Sequence, residues 1–200
     1  MSWLQPIDLR GKYASLELLS HAHRDHLVEA VKDGELWNLW YTSIPTPDMM
    51  RAEIDRRLNE HAKGLMLPFA VIDNSTGNAV GMTTFLNADE INRRVEIGAT
   101  WYAKTRQRSP INTQCKLLLL THAFEVLRCI AVEFRTHFFN HQSRRGIERL
   151  GAKLDGILRS HHIGRNGAIR DTCVYSIITS EWPTVQTHLS WQLSRPWPPS

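Results

Sequence analysis

Hydrophobic and polar positions along the chain follow two different periods, and the change between them sets the expected elements. "ASLELLS" (14–20) reads as a short strand, and "HRDHLVEAVKD" (23–33) as a helix with Leu27, Val28 and Val31 on one stripe. After the aromatic loop "LWNLWYTSIP" (36–45), a second helix is expected with Thr46 as its cap and Pro47 in its first position. Met50, Ile54 and Leu58 line its face, and Gly64 stands near its end. The period then becomes two. "LPFAVID" and "NAVGMTTFL" flank the turn "NSTG" as an antiparallel hairpin, and "RRVEIGATWYA" (93–103) is the next strand. "QCKLLLLTHAFEVLR" (114–128) is apolar nearly all round, as a helix packed on a sheet would be. "IAVEFRTHF" reads as a strand and "NHQSRRGIERLGAK" as a helix over 140–151, with Asn140 as N-cap and Gly151 as its stop. "AKLDGILRSHHI" and "AIRDTCVYSIIT" form a last hairpin around Asn166-Gly167, a pair suited to positive φ.

This order predicts an α/β fold: one mixed, mostly antiparallel seven-stranded sheet flanked by about four helices. No composition shift or Gly/Ser-rich stretch divides the chain. Residues 1–200 are therefore expected to form one domain, with a core over about 14–182 and a C-terminal extension over 183–200 whose last residues, "RPWPPS", are loosely ordered.

Composition narrows the picture. The 200 residues, 42% of them hydrophobic, suffice for a substantial core. The start "MSWLQPIDLRG" has no charged n-region followed by an apolar run, and the longest apolar block, Leu117 to Leu120, is too short to span a bilayer. A soluble, cytoplasmic protein with no membrane partner is expected. Cys115, Cys129 and Cys173 lie far apart without a CxxC pair, so buried free thiols are expected. The net charge of +4 arises from 24 basic and 20 acidic residues intermixed, an ordinary surface rather than a nucleic-acid stripe. "HAHRDH" and "SHHIGR" invite a metal, yet His23 and His26 lack an evident third ligand, and no metal is expected.

Three places carry candidate chemistry. In "YAKTRQRSPINTQCK", Ser109-Pro110 starts a helix. The amides of Ile111, Asn112 and Thr113 are then donors at the positive end of its dipole, with Arg106 and Arg108 beside them, an arrangement that suits an anion although every helix has such an end. In the 140–151 helix, Asn140, Ser143, Ile147 and Leu150 share one side, which aims an amide and a hydroxyl the same way as the core. Asn140 could simply cap the helix while Ser143 closes a local hydrogen bond. Glu96 sits between Val95 and Ile97 inside a strand. A carboxylate is disfavoured there unless it is used or paired, with Arg93, Arg94 or a neighbouring strand as partners.

In the order and spacing of "RRVEIGATWYA", "RQRSPINTQCKLLLLTHAFEVL", "VEFRTHFFNHQSRRGIERLGAKLDG" and "IRDTCVYSIITSEWP", the chain resembles the GNAT superfamily of acyl-CoA-dependent N-acyltransferases, in the branch of the ribosomal-protein alanine N-acetyltransferases, over about residues 14 to 182. The resemblance implies an N-acetyltransferase that uses acetyl-CoA on a primary amine, either a protein N-terminus or a small molecule, by direct attack in a ternary complex, and a homodimer. The pyrophosphate pattern Gln/Arg-x-x-Gly-x-Gly/Ala falls on Gln107, Arg108, Ser109, Pro110, Ile111 and Asn112, with neither glycine present. A CoA-binding module with weak or lost catalysis is the alternative that this departure suggests.

By the same resemblance, Trp101, Tyr102, Gln107, Arg108, Ser109, Ile111, Asn112, Thr113, Asn140 and Ser143 would contact the cofactor. Asn140 would bond the pantetheine arm. Tyr102 would offer a backbone amide to the thioester oxygen where the fold's fourth strand splays from its fifth. Glu96, eleven residues before Gln107, would be the general base, acting directly or through an ordered water. Ser143, or Tyr175 on the last strand, would protonate the departing thiolate. Trp37, Trp40 and Tyr41 would line the acceptor side.

Overall fold

The structure is a computed structural model that describes residues 3–164 and 166–197. In chain order, the strands are β1 (Leu9–Arg10), β2 (Ala14–Leu18), β3 (Met66–Asp73), β4 (Asn78–Asp89), β5 (Arg94–Tyr102), β6 (Ala131–His137), β7 (Lys153–Ile163) and β8 (Ile169–Ile178). The α-helices are α1 (Arg24–Lys32), α2 (Met50–Ala62), α3 (Pro110–Thr121), α4 (His141–Glu148) and α5 (Trp182–Ser194). One sheet runs in the order β1-β2-β3-β4-β5-β6-β8-β7, with every neighbouring pair antiparallel except the parallel β5–β6. The fold is the expected α/β one with one more strand and one more α-helix.

Alternation along the strands sends apolar side chains to two cores. Phe69, Phe85, Val95 and Ile97 meet Ile111, Cys115 and Leu119 of α3 and Val185 and Leu189 of α5 on one face. Ala70, Met82 and Trp101 meet Leu27 and Val31 of α1 and Met50 and Ile54 of α2 on the other. Helix α3 is apolar nearly all round because it lies between the sheet and α5, where Phe124 stacks on Trp182 at 5.2 Å. The three cysteines are free and buried. Among the described residues, no helix is long and apolar enough to cross a membrane.

Several boundaries differ from the sequence reading. Thr46 does not cap α2: Met49 N–H reaches Thr46 O and Met50 N–H reaches Pro47 O, so residues 46–49 form tight turns and the helix begins at Met50. The third helix starts at Pro110, where the Ser109-Pro110 pair places it, but its last turn (122–126) widens to i→i+5 bonding, ending with Leu127 N–H on His122 O. Helix α5 lies in what reads as a tail. Its signal is Trp182, Val185 and Leu189 at helical spacing with Pro183 at the start, and these three side chains are buried. Of the "RPWPPS" segment, residues 198–200 lie outside the described residues.

Candidate active site

Strands β5 and β6 share only three register pairs, Arg94↔Ala131, Val95↔Val132 and Glu96↔Glu133. Beyond them, β5 runs on to Tyr102 and β6 to His137 with no pairing between the two, which leaves a V whose apex is Glu96 and Glu133. A bulge helps to turn β5 away. Met82 pairs Trp101 but Thr84 pairs Gly98, so β5 carries one extra residue, and Ala99 adopts φ 48°. Arg57 of α2, almost fully buried, braces this bulge: its Nη1 donates to Thr84 Oγ1 (2.7 Å), its Nη2 to the Ala99 carbonyl (3.2 Å) and its Nε to Glu53 Oε1 (2.7 Å).

The open side of β5 offers a backbone donor. Ala103 N–H bonds Val80 O at 2.8 Å, which makes the neighbouring Gly81↔Tyr102 pair non-hydrogen-bonded, so the N–H and C=O of Tyr102 point away from β4. Gln107 Nε2 reaches that carbonyl at 3.3 Å, and Gln142 Nε2 of α4 donates to Gln107 Oε1 at 2.8 Å. Gln107 therefore ties the end of β5 to α4.

The start of α3 differs from the expected row of free amides. Ser109 Oγ accepts the Ile111 N–H at 3.3 Å, and the helical register gives the Thr113 N–H to the Ser109 carbonyl, which leaves the Asn112 N–H as the uncapped donor. Arg106 does not flank the helix end as a free cation, because its Nε pairs with the buried Asp73 at 3.2 Å. Arg108, exposed and in the left-handed region at φ 60°, has no ion-pair partner among the described residues. Asn112 folds inward, its Oδ1 accepting the Tyr102 hydroxyl at 3.1 Å. Arg149, exposed at the end of α4, crosses to Thr113 Oγ1 (3.3 Å) and Gln192 Oε1 (2.6 Å).

On α4, Asn140 caps with Oδ1 on the Ser143 N–H (3.0 Å), and Gly151 closes the end at φ 98°. The Ser143 hydroxyl is half-buried and makes no hydrogen bond among the described residues. Tyr175, fully buried on β8, accepts from Arg144 Nε (3.0 Å) and donates to Glu148 Oε1 (2.9 Å), and burial raises its hydroxyl pKa.

Glu96 projects from the opposite face. It is 6% exposed, accepts from Asn87 Nδ2 at 2.8 Å and pairs with Arg135 at 3.5 Å, not with Arg93 or Arg94. Desolvation lifts its pKa, with Asn87 and then Arg135 acting against that rise. The aromatic loop divides. Trp37 packs into the α1/α2 core, whereas Trp40 meets His137 edge-on at 5.0 Å and Tyr41 lies 6.1 Å from the same ring, closing over the end of β6. Trp101 also turns its side chain into the α1/α2 core, and its buried indole N–H has no partner among the described residues. No group of three or more metal-ligating side chains occurs among the described residues.

A parted parallel strand pair beside a capped helix start is a shape that can be compared with known proteins. The model of the "Acetyltransferase (GNAT) domain" family matches residues 15–153. The chain belongs to the GNAT acetyltransferase family. It is 35% identical over 142 residues, 71% of each chain, to a Bacillus subtilis (strain 168) protein named "Putative ribosomal N-acetyltransferase YdaF". It also matches the solved structure of a GCN5-related N-acetyltransferase from Brucella melitensis at 30% identity, with a TM-score of 0.84 over 96% of this chain and 87% of that one. Mycobacterium smegmatis RimJ in complex with CoA-disulfide shares the fold at 20% identity and a TM-score of 0.79, over 96% of this chain and 98% of that one. In this GNAT chain, the strands that the sequence resemblance numbers fourth and fifth are β5 and β6. The basic residues Arg57, Arg135 and Arg149 had no periodic or motif signal of their own.

Proposed function

We propose that this GNAT enzyme moves an acetyl group from acetyl-CoA to a primary amine by direct attack in a ternary complex. One observation carries the reading: β5 and β6 part immediately after Glu96↔Glu133, and the Tyr102 N–H faces the gap.

The glycine-free loop tests whether coenzyme A suits these residues. Asn112 stands where a glycine is expected, but its side chain folds onto Tyr102 rather than out from the helix start, and its N–H is free. Arg108 and Arg149 supply positive charge beside that donor in place of further amides. The fit supports binding of the diphosphate by the Asn112 N–H and the Arg108 guanidinium, while Gln107, Ser109, Ile111 and Thr113 shape the helix start through their own hydrogen bonds.

When bound, acetyl-CoA supplies the activated thioester and a thiolate leaving group. Glu96 takes the proton of the acceptor's ammonium, directly or through one water, and burial, by raising its pKa, makes it a stronger base than a free carboxylate. The Tyr102 N–H meets the charge that develops on the carbonyl oxygen, and Asn140 Nδ2 holds the pantetheine arm. Ser143 Oγ gives its proton to the departing sulfur and is re-protonated by the second proton that the attacking nitrogen sheds as the amide forms. Tyr175 has already committed its own proton to Glu148, and in this reading it fixes α4. Trp40 and Tyr41 bound the acceptor side, while the side chains of Trp37 and Trp101 serve the α1/α2 core. No cysteine serves as a nucleophile. Burial pushes the Cys115 and Cys129 thiols up to about 12 and raises Cys173 as well, so a thiolate is scarce at neutral pH.

Residues 1–200 form one catalytic domain in this reading, supported by the packing of α5 on α3, and its three free thiols suit the reducing cytoplasm. The name of the B. subtilis relative favours a protein N-terminal amine as acceptor, with small amines as the other class. Titration with coenzyme A, paired with thiol release from acetyl-CoA across a panel of amines, tests the proposal. Binding and release are both expected. Binding without release for any amine would leave a CoA module with lost catalysis, and no binding would end the reading.

A further inference from the structure

We infer that Arg170 recognises a carboxylate on the acceptor, so that the preferred substrate is an amine carrying a carboxylate close to it. The inference rests on the proposed acetyl transfer and concerns which amine is used.

Register places Arg170 on the face of the sheet that carries Glu96. Glu133, Arg135 and His137 pair with Ser176, Val174 and Thr172, and Arg170 precedes Thr172 by two along β8, so all of these point the same way. Phe134, Cys173, Tyr175 and Ile177, at the alternate positions, face the α3 core instead. The same face therefore presents Arg94, Glu96, Glu133, Arg135 and Arg170. Arg94 bonds Glu133, and Arg135 bonds Glu133 and Glu96, so both carboxylates already have cationic partners. Arg170 has none. Among the described residues, its side chain makes no hydrogen bond or ion pair, and its Nε is buried without a partner.

A half-buried guanidinium with an unsatisfied donor is costly unless something completes it. Its surroundings indicate what does. Glu96 and Arg170 each favour the charged form of the other, so Arg170 lies within electrostatic range of the carboxylate that receives the acceptor's ammonium. An acceptor bound between them would set its amine toward Glu96 and an anion toward Arg170. One uncommitted guanidinium matches the single charge and planar geometry of a carboxylate. That carboxylate can be the α-carboxylate of a free amino acid or an acidic side chain near a peptide's N-terminus.

Matched pairs separate these sources: alanine against alaninamide, and short peptides with Asp or Asn in second position, each assayed by thiol release from acetyl-CoA. The carboxylate-bearing member of at least one pair is expected to have a kcat/KM higher by roughly ten- to hundredfold, carried mainly by KM. Arg170→Met should bring that ratio to about one, and Arg170→Lys should keep part of it. A purely structural role for Arg170 would lower both members alike and leave the ratio unchanged. In parallel, thermal protection of the CoA-bound protein is measured with N-acetylalanine and N-acetylalaninamide, and with the acetylated Asp and Asn peptides. Protection by a carboxylate that Arg170→Met abolishes would support the inference even if no amine released thiol, an outcome that would sink the catalytic proposal alone. Equal use of both members of every pair, or a ratio that survives Arg170→Met, overturns the inference and leaves acetyl transfer standing. Neither protection nor release overturns both.

Discussion

Glu96 on β5 and Glu133 on β6 form the last register pair that the two strands share, and Arg135 holds both carboxylates, at 3.5 Å and 2.9 Å. One guanidinium thus clasps the apex of the V from the β6 side while Asn87 holds Glu96 from β4. The candidate base is fixed at the point where the sheet opens, and its burial, rather than any one neighbour, sets the direction of its pKa.

That placement makes a pH prediction. Glu96 must be ionised to accept a proton, and burial moves its pKa above 4.5, so the acid limb of kcat/KM should fall at a pH above the ordinary carboxylate range. Glu96→Gln should lower kcat by about tenfold to hundredfold and erase that limb. An unchanged pH profile in Glu96→Gln would remove Glu96 from the mechanism.

Ser143 separates chemistry from binding. Its hydroxyl is uncommitted while its backbone N–H serves the Asn140 cap, so Ser143→Ala leaves the helix start intact. Turnover should drop by about tenfold or more with the coenzyme A dissociation constant within about twofold of wild type. A large loss of affinity in calorimetry would make Ser143 a binding residue instead.

Arg57 tests the bulge. Arg57→Met removes the donors to Thr84 and the Ala99 carbonyl and leaves the half-buried Glu53 with Arg56 alone. Breaking a buried pair of this kind costs about 3 kcal/mol, and Tm should fall by roughly 6–12 °C. Scanning calorimetry checks it, and a shift within error would mean that the bulge holds without the brace.

Lys116 carries the opposite sign. Its ammonium is buried on α3 and, among the described residues, donates only to Thr100 Oγ1 at 3.1 Å and Thr83 Oγ1 at 3.5 Å, and burial lowers its pKa from 10.5 to about 8. Below about pH 8, both folded and unfolded chains hold the proton and the full burial cost is present. Between about 8 and 10.5, the folded chain has lost it and the unfolded chain has not, so the contribution of Lys116 to stability rises with pH across that window, by about 3 kcal/mol in all. Lys116→Met should raise Tm at pH 7 and flatten this rise. Denaturant titrations at pH 7 and pH 10 that show the same difference for both proteins would refute it.

Much of this protein is local in origin. Period-two runs mark β3, β4 and β5, the turn at 74–77 joins a hairpin, and Asn140 and Gly151 bracket a short helix, because strand alternation, turns and caps depend on residues a few positions apart. The order of these pieces is also what ties the chain to its family. Errors came where distant neighbours decide. Thr46 has the side chain of a cap but the turns at 46–49 take its place, and α5 is helical because α3 offers it a face to cover.

The site itself is mostly a tertiary product. The sequence by itself determined that Glu96 lies in a strand interior, that Ser109 and Pro110 open a helix, and that Asn140 caps another, since each follows from short-range backbone chemistry. Only the assembled sheet decided that β5 and β6 part after three pairs, that Arg106 is spent on Asp73, that Asn112 turns in to Tyr102, and that the Arg170 Nε is buried without a partner among the described residues. Those are charge and hydrogen-bond balances between residues tens of positions apart, and such balances exist only once the chain has closed on itself.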